Sequence, residues 1–315
     1  MPPPPNAASC GGGGPLRVHF YDVGQGLAAL VDLPDGRHIL VDAGDAPRRP
    51  ECGSVCAVAN QHLLQRLRAD LRGAPIDLVW ITHQHSDHIG GVPDVLAAFP
   101  VTTYVDNGQD AQKPEVRRAH VAADQRGVSV RVVDPEHPDA PFANPRGGLK
   151  VTAVVPVAWP SVCSRNANDC SIGLRVDYCS SSVLFTGDAE HAEEAKLDLH
   201  GPVTLLQVAH HGSDTSTTPA FLTRARPAYV VISAGKPGEG VNADYCLPRA
   251  PIVRRLTQVL GVDSGTTLRA FDGLRCDRAE PTDWVDVPAS SRLWATERDG
   301  DVVLGTLGDG AWTRE

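Results

Sequence analysis

The sequence predicts an α/β fold: a four-layer α/β/β/α sandwich of two facing mixed sheets with outer helices. Three observations predict it. Strand-like apolar runs come first and then alternate with helix-spaced runs, and this order occurs twice. One run, "IDLVWIT", is continuously apolar, as in a strand buried on both faces. The chain has 315 residues, 42% of them hydrophobic and 21% charged, which is enough for a sizeable core in an ordinary globular protein.

Residues 1–15, "MPPPPNAASCGGGGP", are Pro-rich and then Gly-rich, and read as a flexible leader. They lack the apolar stretch of a signal peptide. Residues 16–315 read as one domain. Strands are predicted at 16–21, 27–33 and 38–41, with "PDG" as a hairpin turn. Leu63, Leu64, Leu67 and Leu71 recur at helical spacing, and Gly73 ends that helix. After "IDLVWIT" come a helix from about 93, a strand at 101–105, a helix at 114–125 and a strand at 128–133. Strands follow at 149–155, 171–178 and 183–186. "AEHAEEAKLDL" reads as a helix, 203–209 as a buried strand, 219–224 as a helix, "AYVVIS" as a strand and 252–260 as a helix. Residues 263–288 have weak periodicity and read as an inserted loop with short strands. "DVVLGTLGDG" supplies a last strand.

The net charge of −9 argues against a protein that coats nucleic acid non-specifically, which needs dense Lys and Arg. It does not exclude a nuclease, because bound metal ions add local positive charge. No run approaches the roughly 20 apolar residues of a membrane span. Eight cysteines lie mostly in local groups: Cys52 with Cys56, Cys163 with Cys170 and Cys179, and Cys246 and Cys276 flanking a later segment. Disulfides in an oxidising compartment explain them, so a periplasmic or secreted location is favoured over a cytoplasmic one. The alternative is a set of small apolar residues in a cytosolic protein. None forms a C-x-x-C pair, which argues against a four-cysteine zinc ribbon.

The chemistry concentrates in "HQHSDH", where His83, His85, Asp87 and His88 crowd into six positions after the buried strand. Residues two apart can point the same way, so His83 and His85 can chelate one ion. Asp87 and His88 follow as the chain turns into glycines, and can face a second ion. Imidazoles with a carboxylate suit zinc, iron or manganese better than calcium. A His-rich surface loop is the bland alternative, but packing alone does not account for so many polar groups at the end of a buried strand.

H-x-H-x-D-H after an apolar strand resembles the signature of the metallo-β-lactamase superfamily. "ILVDAG", "VLFTGDA" and "LLQVAHHGS" resemble its further landmarks, in order. Within it, "YDVGQGLAALVDLPDG", "NDCSIGLRV", "VLFTGD" and "HHGSDTS" resemble the hydrolase domain of the DNA-uptake competence channel (ComEC type) and its stand-alone relatives, over about 16–260. The resemblance implies the metallo-β-lactamase fold and two divalent metal ions, most simply zinc, with manganese or iron as alternatives. His83 and His85 would hold one ion, and Asp87 and His88 the other. Asp188 would bridge them; read alone it would sooner cap the helix after it, and the His cluster tips the reading to the bridge. His211 would be the last ligand and His210 a donor to the leaving oxygen, with the reverse assignment as the alternative. Asp87 would orient the attacking water and accept its proton. Asp42 would hydrogen-bond the ligand loop, and Asp22 and Gln25 would line the site. Ser213, Asp214 and Thr215 would supply hydrogen bonds, or else simply form the loop turning into the helix at Pro219. Many members carry a third His for the first ion. Here Asn168, Asp169 or Cys170 stands there, and Asp169 is a candidate ligand. Two further departures bear on substrate: Leu27 stands where the competence-type pattern has an acidic residue, and "SAGKPGEGVNADYCLPRAP" lacks a His before its Pro.

The implied activity is metal-dependent hydrolysis, first of all of a phosphodiester: a nucleic acid, a nucleotide or a phospho-headgroup. A lactone, thioester or β-lactam hydrolase and an inactive metal-binding domain are the alternatives. No G-x-S-x-G motif offers a serine nucleophile instead.

Overall fold

A computed structural model describes residues 10, 13–136, 138, 141–142, 147–263 and 265–315. Three strands open the chain, β1 (Leu16–Phe20), β2 (Ala29–Asp32) and β3 (His38–Val41). Helix α1 (Val55–Leu71) leads to β4 (Ile76–Trp80), α2 (Ser86–Ile89), α3 (Val92–Ala98), β5 (Val101–Asp106), α4 (Pro114–Gln125) and β6 (Ser129–Val132). The second half runs through β7 (Leu149–Val154), β8 (Gly173–Tyr178), β9 (Ser181–Phe185), α5 (His191–Glu194), β10 (Leu205–Gln207), α6 (Pro219–Ala225) and β11 (Tyr229–Ile232). It closes with α7 (Asn242–Tyr245), α8 (Ala250–Leu260), β12 (Thr267–Phe271), β13 (Trp284–Pro288), β14 (Leu293–Ala295), α9 (Thr296–Asp299), β15 (Val302–Thr306) and β16 (Thr313–Arg314).

Two mixed sheets result, ordered β16-β15-β1-β2-β3-β4-β5-β6 and β14-β11-β10-β9-β8-β7. Side-chain alternation along the strands sorts the core into layers. Val31, Ile39, Val41, Leu78 and Trp80 point inward and pack with Leu174, Val176, Val183, Phe185 and Leu205 of the other sheet. Their neighbours Leu30, Leu40 and Val79 point outward, against Leu63 and Leu67 of α1, Val92 and Val95 of α3 and Val116 of α4. On the far side, Leu184, Leu206 and Val230 pack against Phe221 of α6 and Val253 and Leu256 of α8. The order is helix, sheet, sheet, helix, as the sequence predicts.

Two local expectations change. The helix predicted for "AEHAEEAKLDL" shrinks to α5, because Glu193 and Glu194 turn inward: Glu193 accepts from the Ser171 N–H (3.1 Å) and Glu194 from the Thr218 N–H (3.0 Å). The short strands expected in the 263–288 segment are present and pair as an antiparallel hairpin, β12–β13, a two-stranded sheet of its own. Most of the leader lies outside the described residues, but Cys10 is joined to Cys179. The other cysteines pair as Cys52–Cys56, Cys163–Cys170 and Cys246–Cys276. Among the described residues no helix is long and apolar enough to cross a membrane.

Candidate metal centre

The ends of parallel strands build the site. β4 lies parallel to β3 and β5, and β10 lies parallel to β9 and β11. Their C-terminal ends open toward one edge of the sandwich, where loops can converge. β4 delivers His83 to His88, β9 delivers Asp188, and β10 delivers His210 and His211. Gly187 lets two of these loops touch: a Cβ there would meet the Thr82 side chain at 2.6 Å. Gly26 does the same for the "GQG" loop, since a Cβ would meet the Asp87 carbonyl oxygen at 2.5 Å. Asp42, His210 and His211 all have φ between 50° and 56°, a left-handed backbone that costs about 1–3 kcal/mol per non-glycine residue and gathers at functional sites.

Two groups of donors converge. Asp87, His88, Asp188 and His211 form one, and His83, His85 and Asp188 the other; within each, the ligand atoms lie within 4.8 Å of one another. Asp188 belongs to both. In the first group, His88 Nε2 is 3.2 Å from His211 Nε2 and 3.2 Å from Asp188 Oδ1, and His211 Nε2 is 3.4 Å from Asp87 Oδ2. In the second, His83 Nε2 is 3.1 Å from His85 Nδ1 and 3.8 Å from Asp188 Oδ2. The cap alternative for Asp188 falls away, because α5 begins at His191 with Glu190 at its cap position.

Hydrogen bonds fix the imidazole tautomers. His88 Nδ1–H donates to Asp42 Oδ2 at 2.7 Å, and His211 Nδ1–H donates to the Ser233 carbonyl at 2.6 Å. Both Nε2 lone pairs are then left to face the cluster. Asp42 also accepts from the Thr82 N–H and hydroxyl, each at 2.8 Å.

The electrostatics are those of a place made for positive charge. Burial alone would lower His211, but Asp188 and Asp87 hold it up at about 10. Burial works the same way on His88, and Asp188, Asp42 and Asp87 keep it well above the usual imidazole range. Burial pushes Asp87 and Asp188 up, yet the neighbouring imidazoles, His88 foremost, hold both below the ordinary carboxylate range. His83 is driven well down by burial and by His88, so it stays a neutral donor. Asp188 Oδ1 and Asn168 Oδ1 are buried without a hydrogen-bond partner, which is costly unless something else is coordinated there. Nitrogen and carboxylate donors crowded at these distances fit divalent transition-metal ions.

His211 therefore sits among the donors, whereas His210 stands at the cavity wall. Its Nδ1 is 3.0 Å from Thr215 Oγ1 and 3.4 Å from Glu190 Oε1, and its Nε2 is 3.8 Å from Asp188 Oδ2. A cavity of about 370 Å³ opens above the cluster, lined among others by Gln25, Asn168, His210, Ser213, Tyr245 and Arg249.

Two expected residues lie elsewhere. Asp22 does not line this cavity: its N–H bonds Asp301 and its carboxylate turns back to the Gly24 N–H. Gly24, with φ of 71°, reverses the chain between Asp22 and Gln25, so only Gln25 reaches the site. Asp169 is not a candidate ligand, because its carboxylate accepts from the Glu193 N–H at 3.2 Å and faces α5; Asn168 reaches the cavity instead. Leu27 is wholly buried in the core between the sheets, so it touches no substrate. Sequence reasoning missed Glu190, Tyr245, Arg49 and Arg249. The one signal available was a Tyr and an Arg in the loop that lacks the expected His.

A four-layer sandwich with this donor cluster at the strand ends defines a protein of the metal-dependent hydrolase class. The chain belongs to the metallo-beta-lactamase superfamily, whose family model matches residues 21–236. It is similar to Recombination protein 2 of Haemophilus influenzae, 29% identical over 224 residues, 70% of this chain and 24% of that protein. It is equally similar to Competence protein ComA of Neisseria gonorrhoeae, 29% identical over 69% of this chain and 27% of that protein. Ribonuclease Z of a Synechococcus strain is 35% identical over 118 residues, 37% of this chain and 35% of that protein. The chain thus spans about a quarter to a third of the length of these relatives.

Proposed function

We propose that the protein is a phosphodiesterase using two divalent metal ions, most simply zinc. The observation that carries this reading is the sharing of Asp188 by two donor groups. A carboxylate common to both groups would let Asp188 contribute to two ions, an arrangement that suits phosphodiester hydrolysis. The names of the relatives, a recombination protein, a competence protein and a ribonuclease, support a nucleic-acid or nucleotide substrate.

His83, His85 and Asp188 would hold one ion, and Asp87, His88, Asp188 and His211 the other; Asn168 lines the cavity with its buried Oδ1 unpartnered. When bound, such ions supply Lewis acidity and lower the pKa of water to about 7. The chain's own residues do the rest. Asp87 Oδ2, on the cavity side of the cluster, orients the attacking water and accepts its proton. His210, held from behind by Thr215 and Glu190, presents Nε2 to the cavity and donates a proton to the leaving oxygen. The charge that develops on phosphorus oxygens is met in a partly enclosed site, where electrostatic interactions are stronger than in water.

The test is elemental analysis of the purified protein with a turnover screen of bis-p-nitrophenyl phosphate, a lactone and a β-lactam. Metal-dependent release of nitrophenol supports the proposal. Turnover of the lactone or β-lactam alone, or bound metal with no turnover at all, refutes it.

A further inference from the structure

Besides the donor cluster, the cavity of this acidic protein presents two arginines that could meet an anionic substrate, Arg49 and Arg249. Arg49 is already committed: it donates to the buried Asp45 at 2.8 Å and lies 3.4 Å from Glu51. Arg249 is different. Within 4 Å its only carboxylate among the described residues is Asp214, at 3.9 Å and mostly exposed to solvent.

Arg249 is also placed with care. Its N–H donates to the Gly212 carbonyl at 3.0 Å, which fixes its backbone beside the His211 loop. Its guanidinium carbon lies 4.7 Å over the Phe271 ring, and Nη2 donates to the Gly273 carbonyl at 3.0 Å. Phe271 ends β12, and Trp284 of β13 packs against it edge-on. The disulfide Cys246–Cys276 ties this hairpin to the loop before Arg249. Asn242 closes the same loop, donating to the Gly235 and Leu247 carbonyls at 2.7 Å and accepting from the Leu247 N–H at 2.8 Å. Hairpin, disulfide and Asn242 together hold one guanidinium, stacked and with Nη1 free of hydrogen bonds among the described residues, at the wall of the cavity. A stacked, pre-set guanidinium is suited to binding phosphate oxygens in a fixed geometry.

We propose that Arg249 is a specificity residue that binds a second phosphate of the substrate, beside the one at the metal centre. The preferred substrate is then a phosphodiester with a neighbouring phosphate, as in a polynucleotide strand, rather than an isolated diester. This rests on the phosphodiesterase reading above. The test is calorimetric binding of thymidine 5′-monophosphate and thymidine 3′,5′-bisphosphate to the metal-loaded protein. The wild type should bind the bisphosphate about tenfold more tightly, the worth of one charge-assisted contact at a partly exposed site. Arg249→Met should bring the ratio to about one with metal content retained, and Arg249→Lys should restore part of it. The Cys246→Ser, Cys276→Ser double variant should lower the ratio, because the hairpin no longer anchors the loop. A ratio retained in Arg249→Met, or a wild-type ratio of one, overturns the assignment, and a merely structural arginine would change stability and leave the ratio alone. A tenfold ratio in a protein that cleaves no diester supports Arg249 as an anion site while overturning the phosphodiesterase reading.

Discussion

Asp42→Asn is the sharpest probe of how the metal centre is organised. Asp42 touches no substrate and belongs to neither donor group, yet it accepts three hydrogen bonds from the ligand loop: 2.7 Å from His88 Nδ1 and 2.8 Å each from the Thr82 N–H and hydroxyl. Asn keeps the shape and tolerates the left-handed φ of 56°, so backbone strain does not confuse the result. It replaces one acceptor oxygen with an N–H₂ group, which must face another donor. At least one charge-assisted bond is lost, about 1.5–3 kcal/mol of stability. His88 also loses the anion that fixes its tautomer, and such changes lower metal affinity about 10–100-fold. Chemical denaturation of the metal-free protein reads the first quantity, and competition with a zinc chelator reads the second. Metal affinity within about threefold of wild type, alongside the expected loss of stability, would refute an orienting role for Asp42.

Other outcomes follow from the same geometry. His211→Ala should lose bound metal and activity together, whereas His210→Ala should keep its metal and lose about 10²–10⁴ in turnover; the opposite pattern in metal analysis would reverse their roles. Glu297 has its carboxyl pushed up to about 7 by burial, and Oε1 lacks a hydrogen-bond partner. The unfolded chain gives up this proton first, near its ordinary value of 4.5, so the group's stabilising contribution is full below that pH and is lost as pH rises to about 7. Glu297→Gln should flatten the melting temperature across that window, and parallel wild-type and variant curves would argue against it. Leu27→Ala should cost about 2–5 kcal/mol in denaturant unfolding, because the side chain fills the core between the sheets; an altered substrate preference without lost stability would restore it to the site.

The His83–His88 cluster was legible because its polar residues stand where a buried strand stops, a place packing alone does not explain. Both sheets were legible from period-two and continuous apolar runs. Asp188 was ambiguous from its neighbours alone, since a cap and a ligand have the same local sequence; His83 and His211, over a hundred and over twenty residues away, decide between them. Asp169 and Asp22 misled for a related reason. Asp169 lies next to Asn168 and Asp22 three residues before Gln25, and the direction each takes is set by contacts no short window contains: the Glu193 N–H for Asp169 and Asp301 for Asp22.

Arg249 shows where sequence reading stops. "LPRAP" offers only the weak signal of an arginine in a loop without the expected histidine. The reason to single out Arg249 lies in three distant partners: the Gly212 carbonyl beside a donor histidine, the Phe271 ring under the guanidinium, and a disulfide to Cys276. The weakly periodic segment that reads as an insertion with short strands supplies two of the three. A hairpin too small for a core of its own gains order by packing on the domain and being stapled to it. In doing so it lends the site a rigid wall, and a loop without the expected histidine gains a fixed cation instead. The proposed contact to substrate therefore differs in chemistry from the one the resemblance implies: a guanidinium stacked on Phe271 in place of an imidazole.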